Sequence, residues 1–127
     1  NPGQVVKAMN EAEAYDGPSI IIAYAHCINQ GFNMALGLEQ QKKAVACGHW
    51  PLYRYNPLLE EEGKNPLHID SKEPSIPFAD YAQGENRYRM LRLTNPDMAD
   101  KLMEMSQNDV NKGWKLLMGR HKALEEV

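Results

Sequence analysis

The stretch Ser19-Ile20-Ile21-Ile22-Ala23-Tyr24-Ala25-His26-Cys27 decides how this chain is read. From Ile20 to Ala25 it is apolar, β-branched at its start, and shows no polar alternation. Such a run predicts a strand buried on both faces, the mark of a parallel sheet. Upstream, Asn1-Pro2 supplies a capping residue and a first-turn proline. Val5, Met9, Ala12 and Tyr15 then recur at helical spacing. Gly17-Pro18 ends that helix. A helix feeding a doubly buried strand is half of a βαβ unit, so the expected fold class is α/β, with partner strands supplied from elsewhere.

Downstream, His26 to Asn33 is polar and reads as a loop. A second helix is predicted from Met34 to Ala46, ending at Gly48. Trp50-Pro51-Leu52-Tyr53-Arg54-Tyr55-Asn56-Pro57 reads as an edge strand, where proline is tolerated. Glu60 to Pro66 reads as a solvated turn, and Leu67-His68-Ile69-Asp70 as a strand that closes a short edge hairpin. Ser75-Ile76-Pro77 opens a helix carrying Phe78, Tyr81, Tyr88 and Leu91. Asn95-Pro96 repeats the opening signal, and a last helix carries Met98, Leu102, Met105, Val110, Trp114, Leu117, His121 and Leu124, with a bend expected at Gly113. The organisation is one unit: helix-strand-helix-strand over 1–57, loop and hairpin over 58–74, and C-terminal helices over 75–127.

The 127 residues are 43% hydrophobic and 24% charged, with a net charge of -3. No basic stripe points to nucleic acid, and Ile20 to Ala25 is too short to span a bilayer. The chain opens on Asn1 rather than Met, so a fragment or processed product is expected. Its thiols, Cys27 and Cys47, make no disulfide framework, which suggests the cytoplasm.

Cys27 is the sharpest single residue. Ligands of open α/β sheets bind at the carboxyl ends of strands, and Cys27 follows the apolar run closely. Its thiolate suits iron ligation or nucleophilic attack; a small buried hydrophobe is the alternative. Cys47, among alanines on a helix, reads as packing. The side chains of Asn29, Gln30 and Asn33 suit either a polar ligand or the turn backbone. His26 lies beside the thiol, whereas His49, His68 and His121 have no metal-ligand spacing. Glu60 to Glu62 reads as a solvated face. Arg54, Arg87, Arg89 and Arg92 are candidates for an anion site, though surface arginines are the commoner outcome. The Met/Leu stripe of the last helix is core or a docking face.

Assembled, the string says more. Glu11-Ala12-Glu13-Ala14-Tyr15-Asp16-Gly17-Pro18-Ser19 leads into the apolar run and Cys27-Ile28. Gly37-Leu38-Glu39-Gln40-Gln41-Lys42, Gly48-His49-Trp50-Pro51-Leu52-Tyr53-Arg54-Tyr55-Asn56-Pro57, Gly63-Lys64-Asn65-Pro66 and Asp70-Ser71-Lys72 follow in order. From about Asn1 to Arg89 this resembles the C-terminal part of the pyruvate:ferredoxin (flavodoxin) oxidoreductases.

The resemblance implies a partial thiamine-diphosphate-binding fold. Such enzymes convert pyruvate and CoA to acetyl-CoA, using thiamine diphosphate, Mg²⁺ and [4Fe-4S] clusters, and pass electrons to ferredoxin or flavodoxin. It makes Cys27 one ligand of the cluster nearest the thiamine, with companion cysteines upstream. No catalytic or thiamine-binding residue is assigned to this segment, and none of these cofactors is expected to bind it alone. A homodimeric parent is implied, with the rest of that polypeptide as the segment's main partner. The family pattern has Pro before the cysteine and Ile-Ala-His-Gly after it. Here His26 precedes Cys27 and Ile28-Asn29-Gln30-Gly31 follows, a change that bears on redox environment more than on ligation. Two other readings stand beside this one: a non-catalytic interaction or scaffold domain, and an oxidoreductase for another 2-oxoacid. The first reading predicts that the isolated 127 residues show no pyruvate-dependent dye reduction; turnover in that assay would contradict it.

Overall fold

A computed structural model describes residues 1–125. The first helix, α1 (Pro2–Ala14), begins as the sequence predicts: the Asn1 side chain accepts from Gln4 N–H at 3.3 Å. One further tie follows it, from Ser19 Oγ to the Ala12 carbonyl at 3.0 Å.

The expected parallel strand is not formed. Residues 18–27 adopt neither helix nor strand. Ile20, Ile21 and Ile22 are 88%, 51% and 74% exposed, so neither face is buried. The physical reason is the lack of a partner. A strand needs a neighbour for its N–H and C=O groups and a covering layer for its side chains. The sheet among the described residues has two strands, and neither pairs with this run.

After a 3-10 turn at Met34–Leu36, capped by the Asn33 side chain on Ala35 N–H at 3.0 Å, comes α2 (Gly37–Ala46). The hairpin is as expected: β1 (Tyr53–Tyr55) pairs antiparallel with β2 (Leu67–Ile69), with Arg54 opposite His68. Its connection is more ordered than a plain solvated turn, because Leu58–Glu61 forms a single helical turn, α3. The expected helix from Ser75 onward is two: α4 (Phe78–Ala82) and α5 (Asn86–Thr94). The last helix, α6 (Pro96–Glu125), starts where Asn95 Oδ1 accepts from Met98 N–H at 3.2 Å. It is unbroken at Gly113.

The core lies where α2, α4 and α6 meet. Ala44, Cys47, Phe78, Tyr81 and Ala82 are buried, with Tyr24, Trp50, Tyr88, Met103 and Val110 packed against them. Burying a side chain the size of Phe78 is worth about 1.5–3 kcal/mol. Gln107 Oε1 on α6 accepts from Phe78 N–H at 2.7 Å and anchors the start of α4. The Met/Leu stripe of α6 divides: Met103 and Val110 face the core, while Met98 and Met105 stay exposed.

The hairpin is tied to α1 by charge. Arg54 Nε and Nη2 donate to the two carboxylate oxygens of Asp70 at 2.8 and 2.9 Å. Arg54 also pairs with Glu11, and Gln4 Nε2 donates to Asp70 Oδ2 at 3.2 Å. The Arg54 hydrogen bonds hold the Asp70 carboxyl below its ordinary value, against the opposing effect of burial. A carboxyl so depressed stabilises the fold above its unfolded-state pKa, and that contribution is lost as pH falls through the folded value. Asp70→Asn is therefore expected to cost about 2 kcal/mol at neutral pH, the worth of a charged hydrogen-bond pair, and to flatten stability below pH ~4. Urea unfolding of the two chains across pH checks this; identical curves would contradict it.

Candidate functional site

The chain segment carrying Cys27 is held from within the core, beginning at a buried charge. Glu85 is fully buried. It stands between α4 and α5 with extended backbone, so its side chain turns inward. Its carboxylate accepts from Arg87 Nε at 2.5 Å and from Gln40 Nε2 at 3.2 Å. The same Gln40 amide donates to the Tyr81 carbonyl at 2.8 Å. Gly84 permits this approach: a Cβ there would lie 2.4 Å from Gln40 Oε1.

From this pair the hydrogen bonds run outward. Arg87 Nη2 donates to the Tyr81 hydroxyl at 3.1 Å. The Tyr81 and Tyr24 hydroxyls lie 2.5 Å apart. Burial, then the bond to Tyr24, pushes the Tyr81 hydroxyl well above the ordinary tyrosine range, so it stays protonated. Gln30 Nε2 donates to the Tyr24 hydroxyl at 3.1 Å, and Gln30 Oε1 accepts from Cys27 N–H at 2.9 Å. Gln41 Nε2 donates to the Tyr24 carbonyl at 3.3 Å. The irregular segment that leaves the isoleucines exposed is thus fixed at its carboxyl end.

Cys27 is exposed and opens a 3-10 turn, Ile28–Gln30. Gly31 closes it at φ 70°, a conformation that favours glycine. Its carbonyl accepts from Asn86 N–H at 3.0 Å, and a Cβ on Gly31 would lie 2.6 Å from the Asn86 Cβ. His26, the residue before Cys27, packs on the start of α2, with its ring against Gly37 and edge-on to Phe32 at 6.0 Å. Its Nδ1 is buried without a hydrogen-bond partner.

The other candidates resolve plainly. Cys47 is packing: it is fully buried, its Sγ donates to the Ala44 carbonyl at 3.5 Å, and burial pushes its thiol up. Gln30 and Asn33 serve backbone N–H groups rather than open space, and Asn29 is exposed. The arginines do not converge. Arg54 is committed to the hairpin, Arg87 to Glu85, Arg92 to Asp100 at 3.4 Å, and Arg89 to Asn86. His49 stacks on Tyr81 at 5.0 Å, and burial lowers its pKa, so it is a neutral core ring at pH 7. Tyr24, Tyr81 and Glu85 were not singled out by sequence. Gln30 was visible only as one of three loop amides, with no signal for its partners.

The arrangement offers one accessible thiol on a fixed main chain. Among the described residues no three His, Cys, Asp or Glu side chains come together to hold an ion. Cys27 is thus a single exposed thiol without companion ligands among them.

No protein-family model matches the chain. Individual proteins do. A pyruvate-flavodoxin oxidoreductase from Nostoc sp. is 50% identical over 113 residues, covering 89% of this chain and 9% of that protein. A pyruvate:ferredoxin oxidoreductase from Moorella thermoacetica is 48% identical over 123 residues, or 97% of this chain and 10% of that protein. A mitochondrial pyruvate dehydrogenase [NADP(+)] from Euglena gracilis is 44% identical over 112 residues, 87% of this chain and 6% of that protein. The chain thus spans about a tenth or less of the length of these relatives. By sequence, the chain is similar to one short segment of the pyruvate-flavodoxin and pyruvate:ferredoxin oxidoreductases.

Proposed function

We propose that this chain is the segment of a pyruvate oxidoreductase that delivers one cysteine ligand, Cys27, to an iron–sulfur cluster. The observation that carries the reading is an accessible thiol on a main chain braced by Gln30 and Gly31. A cluster ligand must hold its position while its partners come from elsewhere, and second-shell bonds supply that rigidity. The other thiol is fully buried and bonded, and so does not compete for the role.

The whole enzyme converts pyruvate and CoA to acetyl-CoA and CO2, with thiamine diphosphate, Mg²⁺ and [4Fe-4S] clusters as its cofactors. When bound, the cluster supplies stepwise electron transfer toward ferredoxin or flavodoxin. Residues of this chain would supply the Cys27 sulfur to it, fix that residue's main chain, and bury the charge that anchors the brace. The relatives share pyruvate in their names, while the named acceptors are flavodoxin, ferredoxin and NADP. A segment common to all of them fits a task upstream of the acceptor. The proposed setting is a cytoplasmic homodimer; the Euglena relative is named as mitochondrial.

Within that enzyme, the chain is the distal part of the thiamine-diphosphate domain, and Ile20 to Ala25 is a parallel strand of its sheet. Its exposed isoleucines support this, because an apolar run of that kind gains from pairing and cover. On this reading, Cys27 sits at the carboxyl end of the completed strand, where α/β proteins place their ligands.

Cys27→Ser in the full-length enzyme is expected to remove part of the broad iron–sulfur absorption near ~400 nm and to lower the iron content. An unchanged spectrum with unchanged iron would refute the ligand role.

A further inference from the structure

We infer that the outer face of α6 pairs antiparallel with the same face of a second copy of this chain. On that face Met98, Leu102, Met105 and Leu116 are 44%, 38%, 51% and 67% exposed, and Gly119 and Ala123 continue the stripe. Asp109 and Lys112, also exposed, fill its middle. These positions step alternately by four and three residues, the spacing of a coiled-coil seam. Met103 and Val110, which pack on the core, lie on the other side of the helix. The seam is therefore a second apolar stripe, and the described residues leave it largely uncovered. It names a surface for the homodimer proposed above and does not depend on what Cys27 binds.

The stripe complements itself when reversed. Turned end for end about a point between Val110 and Asn111, it sets Met105 against Leu116, Leu102 against Gly119 and Met98 against Ala123 of the second copy. Large side chains face small ones, as interdigitating layers require. Asp109 then meets Lys112 of the second copy, on both sides of the axis. A parallel pair would instead place Asp109 on Asp109 and Lys112 on Lys112, like charges within the seam. Within one helix the Asp109 and Lys112 side chains are 4.0 Å apart and each is over three-quarters exposed, so neither is committed. The first half of α6 is net acidic and the second net basic, so reversal brings opposite charges together along its length. Gly119 is an independent sign. Glycine inside a helix costs about 0.5–1 kcal/mol relative to alanine. Beyond its own helical turn, nothing lies within 4 Å of where a Cβ on Gly119 would stand. The fold of one chain gives no reason for a glycine there; the facing Leu102 side chain of a second copy does.

The test is disulfide mapping, after mild oxidation, of the full-length enzyme carrying Met105→Cys with Leu116→Cys, together with sedimentation of that protein and of the unmodified enzyme. Both positions are exposed, so neither change opens the core. Within one helix they stand about 16 Å apart, beyond the ~7 Å that a disulfide spans between Cα atoms, so a 105–116 link joins two copies. The expected result is a covalent dimer with position 105 joined to 116 and not to 105. Leu102→Cys with Gly119→Cys, a second pair in the same register, is expected to link likewise. Adding Asp109→Lys to the first pair is expected to lower the yield of its link severalfold, and adding Lys112→Asp as well to restore it. A dimer that gives neither in-register link, or joins position 105 to another segment of the same polypeptide, overturns the pairing and leaves the homodimer standing. Yields indifferent to the charge changes overturn it too. If the unmodified enzyme sediments as a monomer, the homodimer reading itself fails, and the pairing falls with it.

Discussion

The constraint on which the rest depends is the burial of the Glu85 carboxylate. Taking an ion out of water costs several kcal/mol even after relaxation. A single charged hydrogen bond returns about 1.5–3 kcal/mol, so one partner is not enough. Glu85 has an ionic partner in Arg87 and an amide partner in Gln40. Those requirements shape the chain around it. The helix that begins at Phe78 stops at Ala82, Gly84 leaves room for the Gln40 amide, and α5 restarts after Glu85. Gln40 also bonds the Tyr81 carbonyl, which closes α2 onto the end of α4.

The same constraint reaches the thiol. Arg87 serves Glu85 and Tyr81 together, and Tyr81 fixes Tyr24 across the core. Tyr24 fixes Gln30, and Gln30 fixes the Cys27 main chain. Little of this passes through the hairpin, which has its own anchor in Arg54, Asp70 and Glu11. The described residues therefore hold two polar clusters with separate tasks. One docks the hairpin against α1, and the other braces the segment that carries Cys27.

Much of the fold was legible in the sequence because it depends on local chemistry. Asn1-Pro2 and Asn95-Pro96 marked helix starts, and both asparagines cap as predicted. The Tyr53 and Leu67 runs marked a hairpin, and they pair. The Ile20 run failed as a strand for a non-local reason: its pattern describes a buried environment that these residues do not provide. The break at Gly84 was also missed. Phe78, Tyr81, Tyr88 and Leu91 keep an apolar rhythm across it, and what interrupts the helix is a carboxylate seeking partners from α2. Of the site, Cys27 was visible from its place after the apolar run. Tyr24, Tyr81 and Glu85 were not, because a hydrogen-bond path between residues distant in sequence leaves no periodic trace. Gln30 lay between these cases, visible as a loop amide suited to the turn backbone but with nothing to say that its other end met Tyr24.

The central claim is that the fold presents Cys27 as one ligand of a cluster completed elsewhere. A crystal structure of the full-length enzyme carrying this segment tests it most directly. The account predicts the Cys27 sulfur bonded to iron, Gln30 still bridging Cys27 N–H and Tyr24, and residues 20–25 paired within a parallel sheet. A Cys27 sulfur away from any iron, with the isoleucines still open to solvent, would contradict it.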